Sequence, residues 1–357
     1  MRKKQKGCIV ELFLFEFPHM PPPGVVIRKV YAEYKVRRLY DFSVKGFANE
    51  TASSTIRKVV YGQIMFENRF RDLVAEPKDV VFSRIKVDKV LEYFHARNDV
   101  THCIDQDNNH YIIKFARYTD SNFKNEVAIL QEIKKYSWLN VPRVVEHGSY
   151  KNIDYIVFTY IRGFRISQRI DVYERNTKIF CNIFGKNIGM IHTIEGKFEK
   201  VNFRKFHTLV DNDTEDINLK SINSWLAEHS PKSINECFVH GDHHYANILW
   251  SENGIEATLD WELAGIGNRE YDIAWSTVVR PGQQFFLTEY EEAEILNGYQ
   301  KANTFDFFKY QYYKILVISH FYKYRNETGE YKNWMNRELK KITSIEMVNC
   351  DGNPLCL

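Results

Sequence analysis

The residues best suited to chemistry lie in one stretch, His240-Gly241-Asp242-His243-His244-Tyr245-Ala246-Asn247, with Asp260-Trp261-Glu262 thirteen residues beyond Asn247. An Asp and an Asn five apart, then a second Asp at the end of a strand, form the set that phosphoryl transfer needs. Such a reaction calls for positioning and charge neutralisation more than for covalent chemistry. Asp242 is placed to orient a substrate hydroxyl. Asn247 and Asp260 offer hard oxygens to the Mg2+ of a nucleotide. A solvated turn can hold an Asp and an Asn by chance, but this one is followed by Ile248-Leu249-Trp250 and a hairpin that delivers Asp260.

A phosphate-holding lysine is expected upstream. In Tyr111-Ile112-Ile113-Lys114-Phe115 the lysine sits inside an apolar run, where an unpaired charge is expensive. Glu126, on the next helical segment, can pair with it, the arrangement kinases use to hold the α- and β-phosphates.

Elements must bring these residues together. Residues 87–94 have apolar positions at helical spacing. Residues 100–104 and 110–115 read as strands joined by Asp107-Asn108-Asn109. Asp120 or Ser121 is expected to cap a helix over residues 122–136. Residues 150–160 read as a hairpin turning at Lys151-Asn152. Helices are expected over residues 177–193, 290–301 and 307–324, the last aromatic nearly all round, as a core helix would be. Strands around residues 238–239, 248–250 and 255–260 interrupt them, with Asn253-Gly254 as a hairpin turn.

In this order the motifs resemble the aminoglycoside phosphotransferase/choline kinase family. The matching residues are Ile113-Lys114, Glu126, the strand at 155–160 with Gly163, Ile188-Gly189-Met190-Ile191-His192, residues 240–249, and residues 259–265 through Tyr271-Asp272-Ile273-Ala274. The resemblance spans roughly residues 85–330. It implies an α+β, two-lobed protein-kinase-like fold with a small antiparallel-sheet N-lobe and a mostly helical C-lobe. Residues 1–80 would be an N-terminal extension, 81–160 the nucleotide-binding N-lobe and 161–357 the C-lobe.

The resemblance further implies Asp242 as the catalytic aspartate, Asn247 and Asp260 as metal ligands, and Lys114 as the phosphate ligand supported by Glu126. The backbone of Thr159, Tyr160 and Ile161 would hold the purine of ATP or GTP. Asp272 would brace the catalytic loop. The nucleotide loop departs from the family pattern: Arg97-Asn98-Asp99-Val100-Thr101 has no glycine, which leaves Asn98 and Thr101 as its candidate phosphate contacts. His243 stands where the family mostly has an apolar residue. His244 stands two after Asp242, where protein kinases have a lysine, and would either help neutralise the transferring phosphoryl or brace the loop.

Composition narrows the partners. The 357-residue chain carries a net charge of +3, which gives no electrostatic case for nucleic acid or an anionic membrane. No run approaches the roughly 20 apolar residues of a membrane-spanning helix. Glu11 and Glu16 interrupt the apolar run at 8–17, which reads as a strand rather than a signal peptide. The six cysteines lack metal spacing, and a cytoplasmic setting fits them. Zinc at His240, His243 and His244 and calcium at residues 211–216 both fail on ligand spacing.

The expected acceptor is a small hydroxylated molecule. The acidic segment 211–216 with Glu289, Glu291, Glu292 and Glu294 would suit an aminoglycoside-like polyamine, while aromatics of 307–324 would suit choline; an amino alcohol or sugar is the further alternative. A non-catalytic kinase-like module that binds a partner through residues 1–80 is the reading from another class.

Overall fold

The computed structural model describes residues 73–95, 97–201, 217–280, 283–324 and 330–344. Expectations that fall on residues 1–72 and on the acidic segment 211–216 lie outside the described residues.

The first lobe is a five-stranded antiparallel sheet in the order β1-β2-β3-β5-β4. Its strands are β1 (Val87–His95), β2 (Asp99–Asp105), β3 (His110–Phe115), β4 (Val144–Tyr150) and β5 (Ile153–Thr159). The helical expectation for residues 87–94 gives way here to β1. The register against β2 slips between Val87 and Lys89 and again between Val90 and Glu92. Each irregularity stretches the two-residue alternation, so apolar residues fall three apart and mimic a helix. The turns follow the sequence closely: Asn108, Lys151 and Asn152 all have positive φ, as tight hairpin connections demand.

Helix α1 (Phe123–Ile133) is capped by Asn122, whose side chain accepts from the Asn125 N–H, and not by Asp120 or Ser121. Those two are engaged elsewhere, Asp120 with Arg97 and Ser121 through a 2.7 Å bond to Asn98. The buried face of α1 (Phe123, Val127, Leu130 and Ile133) packs on Ile156 and Phe158 of the sheet and on Ile191, Phe238 and Trp261 of the second lobe. One core therefore spans both lobes. The other sheet face is covered by Ala75, Val80, Phe82 and Ile85. Glu146 anchors this strap by accepting from the backbone N–H of Ser83 and Arg84. Residues 75–80 thus pack as part of the sheet lobe, although the sequence reading assigns them to the extension.

The second lobe is built from α2 (Ile170–Arg175), α3 (Thr177–Ile191), α4 (Ile217–Glu228), α5 (Arg269–Thr277), α6 (Glu289–Gln300), α7 (Phe307–Tyr324) and α8 (Glu330–Ser344). Two ribbons cross it, β6 (Glu236–Val239) with β9 (Gly265–Asn268) and β7 (Ile248–Ser251) with β8 (Gly254–Thr258). Helices α3 and α6 touch backbone to backbone at Gly185, where a Cβ would lie 1.8 Å from the Ile295 carbonyl oxygen. The aromatic helix α7 is core: Tyr310, Tyr312, Phe321 and Tyr322 are buried with residues of α4, α5 and α8.

Candidate active site

The loop between β6 and β7 carries Asp242, and the turn after β8 carries Asp260. Gly241 brings them together. Its φ is +78°, and a Cβ there would lie 2.3 Å from the Leu263 carbonyl oxygen, so only glycine lets the loop lie against the Asp260–Leu263 segment. Asp260 itself is left-handed, with φ +64°. That conformation is uncommon outside glycine, and Asp tolerates it better than most residues.

The loop is braced from behind by Asp272 of α5. Its two carboxylate oxygens accept from the Gly241 N–H at 3.0 Å and the His240 N–H at 3.1 Å. His192 lies 3.1 Å from the same carboxylate and 2.8 Å from the Tyr299 hydroxyl. His240 is fixed as a neutral ring: its Nδ1 accepts from the Asp242 N–H at 3.2 Å, so Nε2 must donate to the Leu259 carbonyl at 3.0 Å. Burial lowers its pKa, in keeping with that assignment.

The Asp242 carboxylate accepts from Trp275 Nε1 at 2.8 Å. Burial alone would raise its pKa, but the adjacent His244 and His240 rings and the Trp275 N–H overcome this and hold it well below the usual carboxylate range. Asn247 donates through Nδ2 to the Asp242 carbonyl at 2.9 Å and to Asp242 Oδ2 at 3.3 Å. The amide is thereby turned so that its Oδ1, the atom a hard cation would take, is not used in these bonds.

Across the cleft, Lys114 Nζ donates to Glu126 Oε2 at 2.8 Å and Asp260 Oδ1 at 2.6 Å, with Glu262 Oε2 at 3.8 Å. Burial opposes the ammonium charge, yet Asp260, Glu126 and Glu262 together hold the lysine above its ordinary range. Burial pushes the Glu126 carboxyl up, and Lys114 pulls against that. The second Glu126 oxygen accepts from the Trp261 N–H at 3.2 Å. Carboxylate oxygens of Glu126, Asp260 and Glu262 all lie within 4.8 Å of one another. An all-oxygen donor set of this kind fits a hard divalent cation.

The remaining expected residues divide. Tyr160 donates its backbone N–H to the His110 carbonyl and stacks on His102 at 4.2 Å, and Thr159 exchanges bonds with Arg143. Among the described residues nothing accepts from the Ile161 N–H. Asn98 is buried, its Oδ1 accepting from Ser121 and its Nδ2 donating to Glu262 at 3.4 Å. Thr101 is fully buried and donates to the Ile113 carbonyl. The structure brings neither side chain to an open phosphate site.

His244 lies 3.7 Å from Asp242 and accepts from the Ala246 N–H, so it braces the turn and also stands beside the Asp242 carboxylate. His243 points away, bonded to Asn187 and Ser276. Burial is the main cause that holds it neutral. Sequence reasoning missed Trp275 and the buried Glu262 as members of the site. Trp275 follows Asp272 by three, so the two share a helix face. Asp272 was recognisable, and that spacing was the available signal.

A model of the phosphotransferase enzyme family matches residues 95–305. The chain belongs to the phosphotransferase enzyme family. No curated protein sequence matches it. Among solved structures, the phosphotransferase is similar to amicoumacin kinase hAmiN in complex with AMP-PNP, Ca2+ and Ami. The identity is 15% and the TM-score 0.50, covering 80% of this chain and 93% of that one. It is also similar to a thermostable mutant of aminoglycoside phosphotransferase APH(4)-Ia, apo form, at 14% identity and TM-score 0.53, covering 74% and 97%. The phosphotransferase has the two-lobed protein-kinase-like fold.

Proposed function

We propose that the cleft transfers the γ-phosphoryl group of a nucleoside triphosphate, ATP or GTP, to a hydroxyl of a small acceptor, with Asp242 as the catalytic aspartate. The observation that carries this reading is the bonding of Asp242: an ionised carboxylate, aimed by Trp275 and Asn247, on a loop that Gly241 lays against the Asp260–Leu263 segment. Asp242 accepts a hydrogen bond from the acceptor hydroxyl and directs its lone pair toward the phosphorus. Lys114, buttressed by Glu126, donates to the nucleotide phosphates. Asn247 and Asp260 hold Mg2+, which supplies charge neutralisation at the phosphate oxygens when bound. The segment 159–161 lies against the purine, and the Ile161 N–H is its available donor. His244 steadies Asp242.

Family membership and the solved kinase with AMP-PNP and Ca2+ support a nucleotide co-substrate and a divalent ion. A two-lobe division near residue 160 fits the sheet and helix boundaries. Among the described residues no helix is long and apolar enough to cross a membrane, and a cytoplasmic setting is the reading we favour.

Asp242→Asn keeps the shape of the side chain and removes its charge. Phosphoryl transfer should fall by about 10²–10⁴-fold, the range for loss of general acid–base assistance, with Mg-ATP still raising the melting temperature. Full turnover in purified Asp242→Asn protein would overturn the assignment. If neither Mg-ATP nor Mg-GTP shifted the wild-type melting temperature, a non-catalytic module would be favoured instead.

A further inference from the structure

Just past α5, five residues after Trp275, lies Arg280. Its guanidinium stacks over the Trp275 ring, 4.4 Å from the centroid, and lies 4.9 Å from that of Phe321. Nη1 donates to the Val278 carbonyl at 2.5 Å and Nη2 to the Trp275 carbonyl at 2.6 Å. A guanidinium has five N–H donors, and these bonds use two. Among the described residues no carboxylate lies within ion-pair distance of it. Three other enclosed cations do have such partners: Lys114 has Glu126 and Asp260, Arg117 has Asp99, and Lys314 has Glu292 and Glu338.

Its position gives this meaning. The indole under the guanidinium is the one whose N–H holds the catalytic carboxylate. The charge field of Asp242 reaches the guanidinium, whose own pKa burial lowers. A half-buried cation with no carboxylate is costly unless something anionic completes it. Meanwhile the four glutamates of α6 that would suit a cationic acceptor are engaged elsewhere. Glu289 pairs with Lys341 and Glu292 with Lys314. Glu291 caps α6 and accepts from Tyr173, and Glu294 accepts from Asn182.

We propose that Arg280 is the acceptor-specificity residue of this kinase, and that the acceptor carries a carboxylate or phosphate group which its free N–H fork binds while the hydroxyl lies at Asp242. This rests on the kinase reading above and adds the charge class of the substrate. A planar fork suits both oxyanions and rejects an ammonium.

The test uses the full-length protein with Mg-ATP and four related polyols: glucose, glucosamine, gluconate and glucose 6-phosphate. Binding is read by thermal shift in the presence of Mg-ADP, and turnover by ADP release. Gluconate or glucose 6-phosphate should shift the melting temperature and glucosamine should not; which of the two does so separates carboxylate from phosphate recognition. In Arg280→Gln the apparent affinity for the acid should fall about 10- to 100-fold, the loss expected for charge-assisted hydrogen bonds. Any turnover should show that loss in KM, with kcat within about threefold. Arg280→Lys keeps the charge without the fork and should fall between, which covers poor folding of the glutamine variant.

Three results would overturn the proposal while leaving the kinase reading in place: a shift with glucosamine alone, no shift with either acid, or an Arg280→Gln effect on kcat equal for all acceptors. The last would make Arg280 a mere support for Trp275. Absence of any nucleotide shift in the same preparation would instead remove the kinase reading and the proposal with it.

Discussion

Among the described residues two lysines lie enclosed among acidic side chains, one in each lobe. Lys114 is 8% exposed and contacts Glu126 and Asp260; Lys314 is 6% exposed and contacts Glu292 and Glu338. In burial and in bond length they are nearly alike. They differ in where their partners come from. Glu292 and Glu338 belong to α6 and α8, and Lys314 of α7 ties three packed helices together. Glu126, Asp260 and Glu262 come from a helix and a left-handed turn that meet at the mouth of the cleft, and the Asp260 side chain stays 35% exposed. A buried ion pair is therefore no sign of chemistry in itself. What differs is a set of three carboxylates gathered around a single lysine, one of them partly exposed.

The sharpest way to break this comparison is to remove each cation in turn. Lys114→Met should lower phosphoryl transfer by about 10²–10³-fold, the usual loss when one preorganised charge-stabilising donor is deleted. Lys314→Met should instead destabilise the fold by about 3–5 kcal/mol, as breaking one side of a buried pair does. Its turnover per folded molecule should be unchanged. Equal loss of turnover in both, measured on protein verified as folded, would erase the distinction.

Metal response sharpens it next. With Lys114→Met the three cleft carboxylates lose their internal cation, so added Mg2+ should raise the melting temperature of this variant more than that of the wild type. Lys314→Met should respond to Mg2+ as the wild type does. A larger response in Lys314→Met would place the metal-suited oxygens in the wrong lobe.

The smallest expected effect is that of pH on Asp242. Its folded pKa is depressed by His244, His240 and Trp275 in spite of burial. Its contribution to stability is therefore complete above the unfolded carboxyl value of about 4, and is lost only as pH falls through the lower folded value. Between about pH 8 and pH 5 its ionisation should not change, and kcat should show no acid limb from this residue. An acid limb centred above about pH 6 that survives in Glu126→Gln protein would contradict that.

The proposed phosphoryl-transfer set is legible because it is local. Asp242, Asn247 and Asp260 lie within one ribbon system, and the Lys114–Glu126 pair bridges a strand and the next helix. The hairpins at 107–109, 151–152 and 253–254 were legible for the same reason, since turn chemistry depends on adjacent residues. Strand β1 was misread because its irregular register spaces apolar residues as a helix would. The roles of Asn98 and Thr101 were misjudged because burial is a property of the folded lobe: each has a polar side chain that bonds to protein groups far from it in sequence or across the sheet. The glutamates of α6 looked like a substrate surface, yet their partners at 173, 182, 314 and 341 come from other helices and leave no mark nearby in the chain. Trp275 and Arg280 escaped notice because a Trp and an Arg near a helix end carry no motif.

The contact of Gly241 with Leu263 makes the two aspartates a single unit of variation. A side chain at 241 would meet the carbonyl of the very segment that follows Asp260, so one codon change would displace Asp242 and Asp260, the proposed hydroxyl-orienting and cation-holding groups, together. A saturation library should then show position 241 as intolerant as Asp242, although a glycine touches no substrate. Second-site revertants would arise in the backbone around Leu263 rather than at either aspartate.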